Sequence, residues 1–140
     1  MTVFACRTCG TAVTEDLTEV PFPEEAPGDA DGPPVPRLPR GTFAVDPEPH
    51  GPPYVPLPGN PQVSVPAGPG DTFLVHPEDV RNLRRHSNPS RLNGCCDLDG
   101  QDGPNLVCRT CGAEIATEQS DCWVTWHDVR LDPAAVTGAA

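Results

Sequence analysis

The sequence predicts a small, mainly β domain that needs a staple, with long Pro-rich extended loops and one short helix. Three observations predict it. CRTCG stands at 6–10 and again at 108–112. Hydrophobic residues are 36% of the chain and aromatics 5%, a thin supply of large side chains for a core. Twenty Pro and 13 Gly keep much of the chain out of regular helix. Ordering each residue costs roughly 1–2 kcal/mol of backbone entropy. Domains with poorly filled cores offset it with disulfides or metal, and seven Cys provide for either.

The compartment decides between them. MTVFACRTCG lacks the basic region and long apolar run of a secretory leader, and no stretch approaches the ~20 apolar residues of a membrane span. A cytoplasmic chain is therefore expected, where thiols stay reduced and Cys pairs hold metal more often than they form disulfides. The odd Cys count fits the same choice. Net charge is −11, and all nine basic residues are Arg, which reads first as the codon bias of a GC-rich genome. Such a surface repels phosphate backbones. The expected partner is a protein rather than nucleic acid or a membrane.

The elements follow in order. Residues 2–20 read as a hairpin arm: Val3 and Phe4 precede the first cysteine pair, and Val13, Leu17 and Val20 follow it among β-branched Thr. Sixteen of the 20 Pro then lie between Pro21 and Pro69, so 21–70 is a Pro/Gly-rich coil. The apolar groups Phe43-Ala44-Val45, Tyr54-Val55 and Val63-Ser64-Val65 would anchor it as it wraps the domain, while 23–36 is the candidate for disorder. Thr72-Phe73-Leu74-Val75 reads as a buried strand. HPEDVRNLRRH (76–86) reads as the short helix, with Pro77, Glu78 and Asp79 in its first turn, Arg84, Arg85 and His86 in its last, and Val80 and Leu83 facing the core. Arg81, Arg84, Arg85 and Arg91 would form its solvated face. Leu106-Val107, Ile115-Ala116-Thr117, Trp123-Val124-Thr125-Trp126 and Val129-Arg130-Leu131 read as strands. Residues 1–135 form one domain, and 136–140 a flexible tail.

The repeat carries the chemistry. Cys at i and i+3 share one tight turn, so both sulfurs can face one ion. The Gly after each pair, Gly10 or Gly112, suits a positive-φ position close to sulfur. Zinc takes four tetrahedral N or S ligands, one knuckle supplies two, and Cys6, Cys9, Cys108 and Cys111 complete the shell. Cys9 and Cys108 are 99 residues apart. Closing that loop costs on the order of 4 kcal/mol plus a constant, against roughly 10–16 kcal/mol from structural zinc in small peptides. Iron in a rubredoxin-like site is the lesser choice of metal.

Cys95, Cys96 and Cys122 remain, as a possible second metal site, as buried thiols or as a labile redox set. Neighbouring residues of an extended chain point to opposite sides, so Cys95 and Cys96 would serve two ions more easily than one. A rival assignment thus groups Cys96 or Cys95 with Cys108, Cys111 and Cys122, and leaves Cys6 and Cys9 with the other vicinal Cys and His76 or His86. One zinc or two stays open. In DLDGQDGPN (97–105), Asp97 and Asp99 match the first and third positions of a calcium loop, but the twelfth is Cys108, not Glu. A Gly- and Asp-rich turn is expected there.

The paired hairpin knuckles in 2–20 and 106–131 resemble the β-tent domains of cereblon-type thalidomide-binding, Yippee-like and B-type methionine sulfoxide reductase proteins. The resemblance rests on Cys6, Cys9, Cys108 and Cys111 with Ile115 and Val129-Arg130-Leu131. It implies a zinc-ribbon-like or β-tent-like fold and the zinc site. It implies no pocket, because Trp123 and Trp126 follow the second cysteine pair where a cereblon-type cage precedes it. It implies no catalytic residue, because Cys122 sits in SDCWVTW, outside a reductase context. NGCCDLDGQDGPNLVCRTCGAEIATEQSDCW also resembles a block in uncharacterised small Cys-rich proteins of high-GC bacteria.

No catalytic constellation or Gly-rich phosphate loop is present. The expected function is a non-enzymatic, zinc-binding structural or protein-interaction module. The alternatives are a cysteine-based redox protein or sensor and, against the charge, a zinc-ribbon nucleic-acid binder.

Overall fold

In the computed structural model, which describes residues 1–23 and 33–140, the chain begins with β1 (Val3–Cys6), whose period-two pattern turns Phe4 and Cys6 inward. The chain turns at the first CRTCG and returns through bridges Ala5↔Ala12 and Thr2↔Leu17, as a hairpin arm that buries Val13 and Leu17. β2 (Thr18–Glu19) leads towards β3 (Thr42–Asp46). An exposed hairpin follows, β4 (Tyr54–Leu57) with β5 (Asn60–Pro66), and then the buried β6 (Thr72–Val75). After β7 (Leu83–Arg85) come β8 (Leu106–Cys108), β9 (Glu114–Gln119), β10 (Asp128–Leu131) and β11 (Val136–Ala139).

Seven strands form one sheet in the order β2-β3-β6-β10-β9-β8-β7, antiparallel except for the β2–β3 pair. β1 pairs with β11, and β4 with β5, as separate two-stranded units. The core between the main sheet and the β1 arm holds Phe4, Val13, Leu17, Phe43, Val75, Ile115, Val129, Leu131 and Val136 together with Cys6 and Cys108. Phe4, Phe43 and Phe73 meet at ring-centroid distances of 4.6–6.0 Å. Three of the chain's four Phe are thus spent on one cluster, beside the sulfurs.

The mainly β reading holds; the helix does not. Pro77–Asp79 makes a single 3-10 turn, capped by His76 Nδ1 accepting the Glu78 N–H at 3.0 Å. Pro77 and the acidic pair do start a turn, but the backbone beyond finds sheet partners instead. Val80 bridges Thr14, the Arg81 N–H donates to Val13, and Leu83–Arg85 runs antiparallel to Leu106–Cys108. Asn82 takes φ of +58°, which an α-helix does not admit. Val80 and Leu83 still pack against the core.

Three further expectations change. Trp123–Trp126 is not a strand but a turn leading to a Val35↔Trp126 bridge, with Trp123 82% exposed. The tail expected to fray forms β11, in register with β1 from Val3↔Ala139 to Cys6↔Val136. Phe43-Ala44-Val45 enters the main sheet, whereas Tyr54-Val55 and Val63-Ser64-Val65 form an exposed hairpin, tied to the domain through the Tyr54 hydroxyl donating to Gln101 O at 2.7 Å rather than through apolar burial. The 23–36 stretch proposed for disorder falls largely on residues 24–32, outside the described residues.

Ion pairs on buried carboxylates tie the sheet and its flanking loops together. Arg130 on β10 donates to Asp46 on β3 at 2.5 Å and to Thr72 on β6 at 3.3 Å. Arg40 and the Gly41 N–H both reach the buried Asp79 carboxylate. Arg37 pairs with Asp128 at 2.8 Å while its guanidinium lies over Phe22 and Trp126, 5.4 and 5.6 Å from their centroids.

Candidate metal centre

The two CRTCG copies fold into the same turn. In the first, the Cys6 N–H donates to Thr11 O and the Gly10 N–H to Cys6 O, both at 2.8 Å. In the second, the Cys108 N–H donates to Ala113 O and the Gly112 N–H to Cys108 O, also at 2.8 Å. Even the next residue corresponds: the Arg7 N–H is received by Ala135 O, and the Arg109 N–H by Asn82 O. β1 delivers one turn and β8 the other, and the Thr11 hydroxyl donates to Thr110 Oγ1 at 3.0 Å between them.

The four sulfurs converge. Cys6 Sγ lies 3.6 Å from Cys111 Sγ, Cys9 Sγ lies 3.6 Å from Cys108 Sγ, and all four fall within 4.8 Å of one another. Sulfurs 2.3 Å from a tetrahedral ion stand about 3.8 Å apart. The donor set and spacing fit one four-coordinate ion with no position left open. The first Cys of each turn is buried and the second exposed, so the group lies at the margin of the core.

Electrostatics point the same way. The Thr11 hydroxyl, 3.2 Å from the Cys9 sulfur, and the Thr11 backbone N–H lower the Cys9 pKa to about 6. The Ala113 N–H also lowers that of Cys111, but desolvation and the neighbouring thiols outweigh it and push Cys111 up to about 12. One thiolate forms readily, and the last resists beside its neighbours. A divalent cation bound there would supply the compensation that lets all four ionise.

The other three cysteines form a second group. The sulfurs of Cys95, Cys96 and Cys122 lie within 4.8 Å of one another, and all three residues are exposed, which overturns the reading of them as buried thiols. Adjacent Cys95 and Cys96 share one cluster because this stretch is bent, not extended. The bend is imposed by Asp121, whose buried carboxylate accepts the N–H groups of Cys95 at 3.1 Å, Cys96 at 2.8 Å, Asp97 at 3.3 Å and Cys122 at 2.8 Å. These bonds, led by that of Cys96, hold the Asp121 pKa down at about 2. The bond to Cys96, partial desolvation by its neighbours and the Asp121 carboxylate push the Cys122 thiol up to about 12. Cys96 Sγ and Cys122 Sγ approach to 2.6 Å.

The rival grouping is thereby overturned: Cys108 and Cys111 gather with Cys6 and Cys9, not with Cys96 and Cys122. Neither His joins a thiol group. His76 caps its turn, and His86 Nε2 meets Glu114 at 2.9 Å. Asp97 pairs with Arg85, and Asp99 accepts the Gln101 N–H, so 97–105 is the hydrogen-bonded turn expected from its Gly and Asp. Within it Asn105, fully buried, brackets Glu118 by donating to its O and accepting from its N–H. Three of the four cluster Arg pair with carboxylates, Arg81 with Glu15, Arg85 with Asp97 and Arg91 with Glu114, while Arg84 donates to the Arg85 carbonyl.

Sequence reasoning missed Asp121. A carboxylate that bonds backbone N–H groups needs no partner residue type, so only its place directly before Cys122 could have flagged it. His50 was missed as well. It sits by Thr72, Thr117 and Arg130 in a small cavity, where desolvation and then the Arg130 charge lower its pKa to about 4.

The chain matches no family model, no curated protein and no solved structure. Among the described residues, no helix is long and apolar enough to cross a membrane.

Proposed function

We propose that this chain is a non-enzymatic, zinc-stapled protein-interaction module, with one zinc held by Cys6, Cys9, Cys108 and Cys111. The convergence of those four sulfurs from two matching turns carries the reading. Four thiolates favour zinc or iron over harder metals, and a closed shell is the mark of a structural site. The ion fixes the β1 turn to the β8 turn, and with it the two sides of a core built on few large side chains. The likeness to β-tent domains rests on these two turns with Ile115 and Val129-Arg130-Leu131.

The interaction role is supported by the β4–β5 hairpin. Tyr54, Val55, Leu57 and Val63 are each 38–42% exposed there, on a two-stranded unit outside the main sheet. Apolar side chains gathered on an exposed unit suit a protein partner, and the net charge of −11 disfavours a phosphate backbone.

Elemental analysis of the purified chain tests the metal. One zinc per chain, lost in Cys6→Ser and Cys108→Ser, is the expected result. Iron in its place, or a metal-free chain with an unchanged thermal transition, rejects the zinc staple. A pulldown tests the module: capture of a defined protein by the native chain, lost with Val55→Asp and Val63→Asp, is expected. Capture unaffected by both substitutions removes the hairpin from the reading.

A further inference from the structure

We propose that Cys96 and Cys122 are a dithiol–disulfide pair, closed by a hydroperoxide, with Cys95 as the adjacent exchange thiol. This site is separate from the zinc staple and does not depend on it. The two thiols come from segments 26 residues apart, and one buried carboxylate pins both backbones: Asp121 holds the N–H groups of Cys95, Cys96 and Asp97 on one side and of Cys122 on the other. A second tie comes from Leu98, buried, whose carbonyl accepts the N–H groups of Ser120 at 2.8 Å and Asp121 at 2.9 Å. The sulfurs are thus presented to each other by a fixed backbone while facing solvent.

The geometry separates this group from the four-cysteine centre. There the sulfur pairs stand 3.6 Å apart, close to the edge of a tetrahedron around zinc; here Cys96 and Cys122 are at 2.6 Å, too near to share one such ion. Only three thiols are offered, and Asp121 already spends both oxygens on backbone N–H groups. Two exposed thiols in contact, with a third within reach, are the arrangement that oxidises to a disulfide and exchanges with another thiol.

The reaction balances with a hydroperoxide as the named oxidant. One thiolate of the pair gives an electron pair to a peroxide oxygen. The O–O bond breaks, water or an alcohol leaves, and the sulfur becomes a sulfenic acid. The second sulfur attacks the first, the S–S bond forms, the S–O bond breaks, and the hydroxide departs as water with the second thiol's proton. Two thiols and one hydrogen peroxide give one disulfide and two waters. A reducing thiol reverses the change, with Cys95 placed to take over either half of the bond.

The test uses the full reduced chain, loaded with zinc and treated with stoichiometric hydrogen peroxide. Intact mass should fall by two hydrogens, peptide mapping should link Cys96 to Cys122, and the first zinc should stay bound. Cys96→Ser and Cys122→Ser should each abolish the linked species, while Cys95→Ser should keep it. A chain that stays reduced under peroxide overturns the proposal. So does a link mapped to Cys95 in the native chain, or a second metal per chain that Cys122→Ser releases. Absence of the first zinc would instead reject the staple, leaving the Cys96–Cys122 map to be read separately.

Discussion

Gly10 and Gly112 hold the same left-handed backbone, φ +80° and +79°, each directly after the second cysteine of its turn. A Cβ at Gly10 would meet nothing within 4 Å, and one at Gly112 only the Arg84 guanidinium at 3.8 Å. The need for glycine is therefore conformational rather than steric. Gly10→Ala and Gly112→Ala should each cost about 1–2 kcal/mol, with Asn at either position costing less. Denaturant titration of the zinc-loaded variants measures this, and unchanged midpoints would refute it.

Removing the metal should do far more. In the zinc staple proposed above, the ion would offset a closure entropy on the order of 4 kcal/mol, in a domain whose total stability is expected at about 5–15 kcal/mol. Chelation, or Cys108→Ser in the buried half of the site, should abolish the cooperative thermal transition seen by circular dichroism. Cys111→Ser, in the exposed half, should weaken metal retention with a smaller loss of structure.

Arg130 and Asp46 are both buried, with side chains 7% and 8% exposed. Asp46→Ala leaves the guanidinium without its counter-charge inside the sheet and should cost about 3–5 kcal/mol. Replacing both, as Asp46→Leu with Arg130→Met, should recover much of that. A double-mutant cycle in urea checks the pair, and additive losses would show that it does not act as one.

Asp121 gives a pH dependence of known sign. Its folded pKa of about 2 lies below the ordinary carboxylate value, so the unfolded chain takes up the proton first as pH falls. Its contribution is complete above about pH 4, the unfolded value, and is lost as pH falls through about 2. Asp121→Asn should therefore narrow its stability gap to the native chain between those limits. Melting temperatures of both chains across that range decide it, and a constant gap would sink the idea.

Much of this was legible in residues and little of it in spacing alone. The doubled CRTCG pointed to the four-thiol cluster because each copy fixes both its residue types and its local turn. TFLV and VRL were readable as strands because both are short, apolar and β-branched or aromatic. HPEDVRNLRRH misled because its caps and charges are true local signals that long-range pairing with Leu106–Cys108 overrides. Val136–Ala139 looked like a tail because small residues carry no strand signal; its order comes from the open edge of β1. Asp121 and the Arg130–Asp46 pair were invisible because they depend on segments brought together only by the fold.

The distance along the chain between the two turns also sets a timetable for biosynthesis. Cys6 and Cys9 leave the ribosome with half a ligand set, and 99 residues separate Cys9 from Cys108. At roughly 5–20 residues per second, that wait lasts on the order of 5–20 s. During it the nascent arm has neither the second pair of thiols nor β11 to lie against, so its folding is deferred until residues 106–139 have been made.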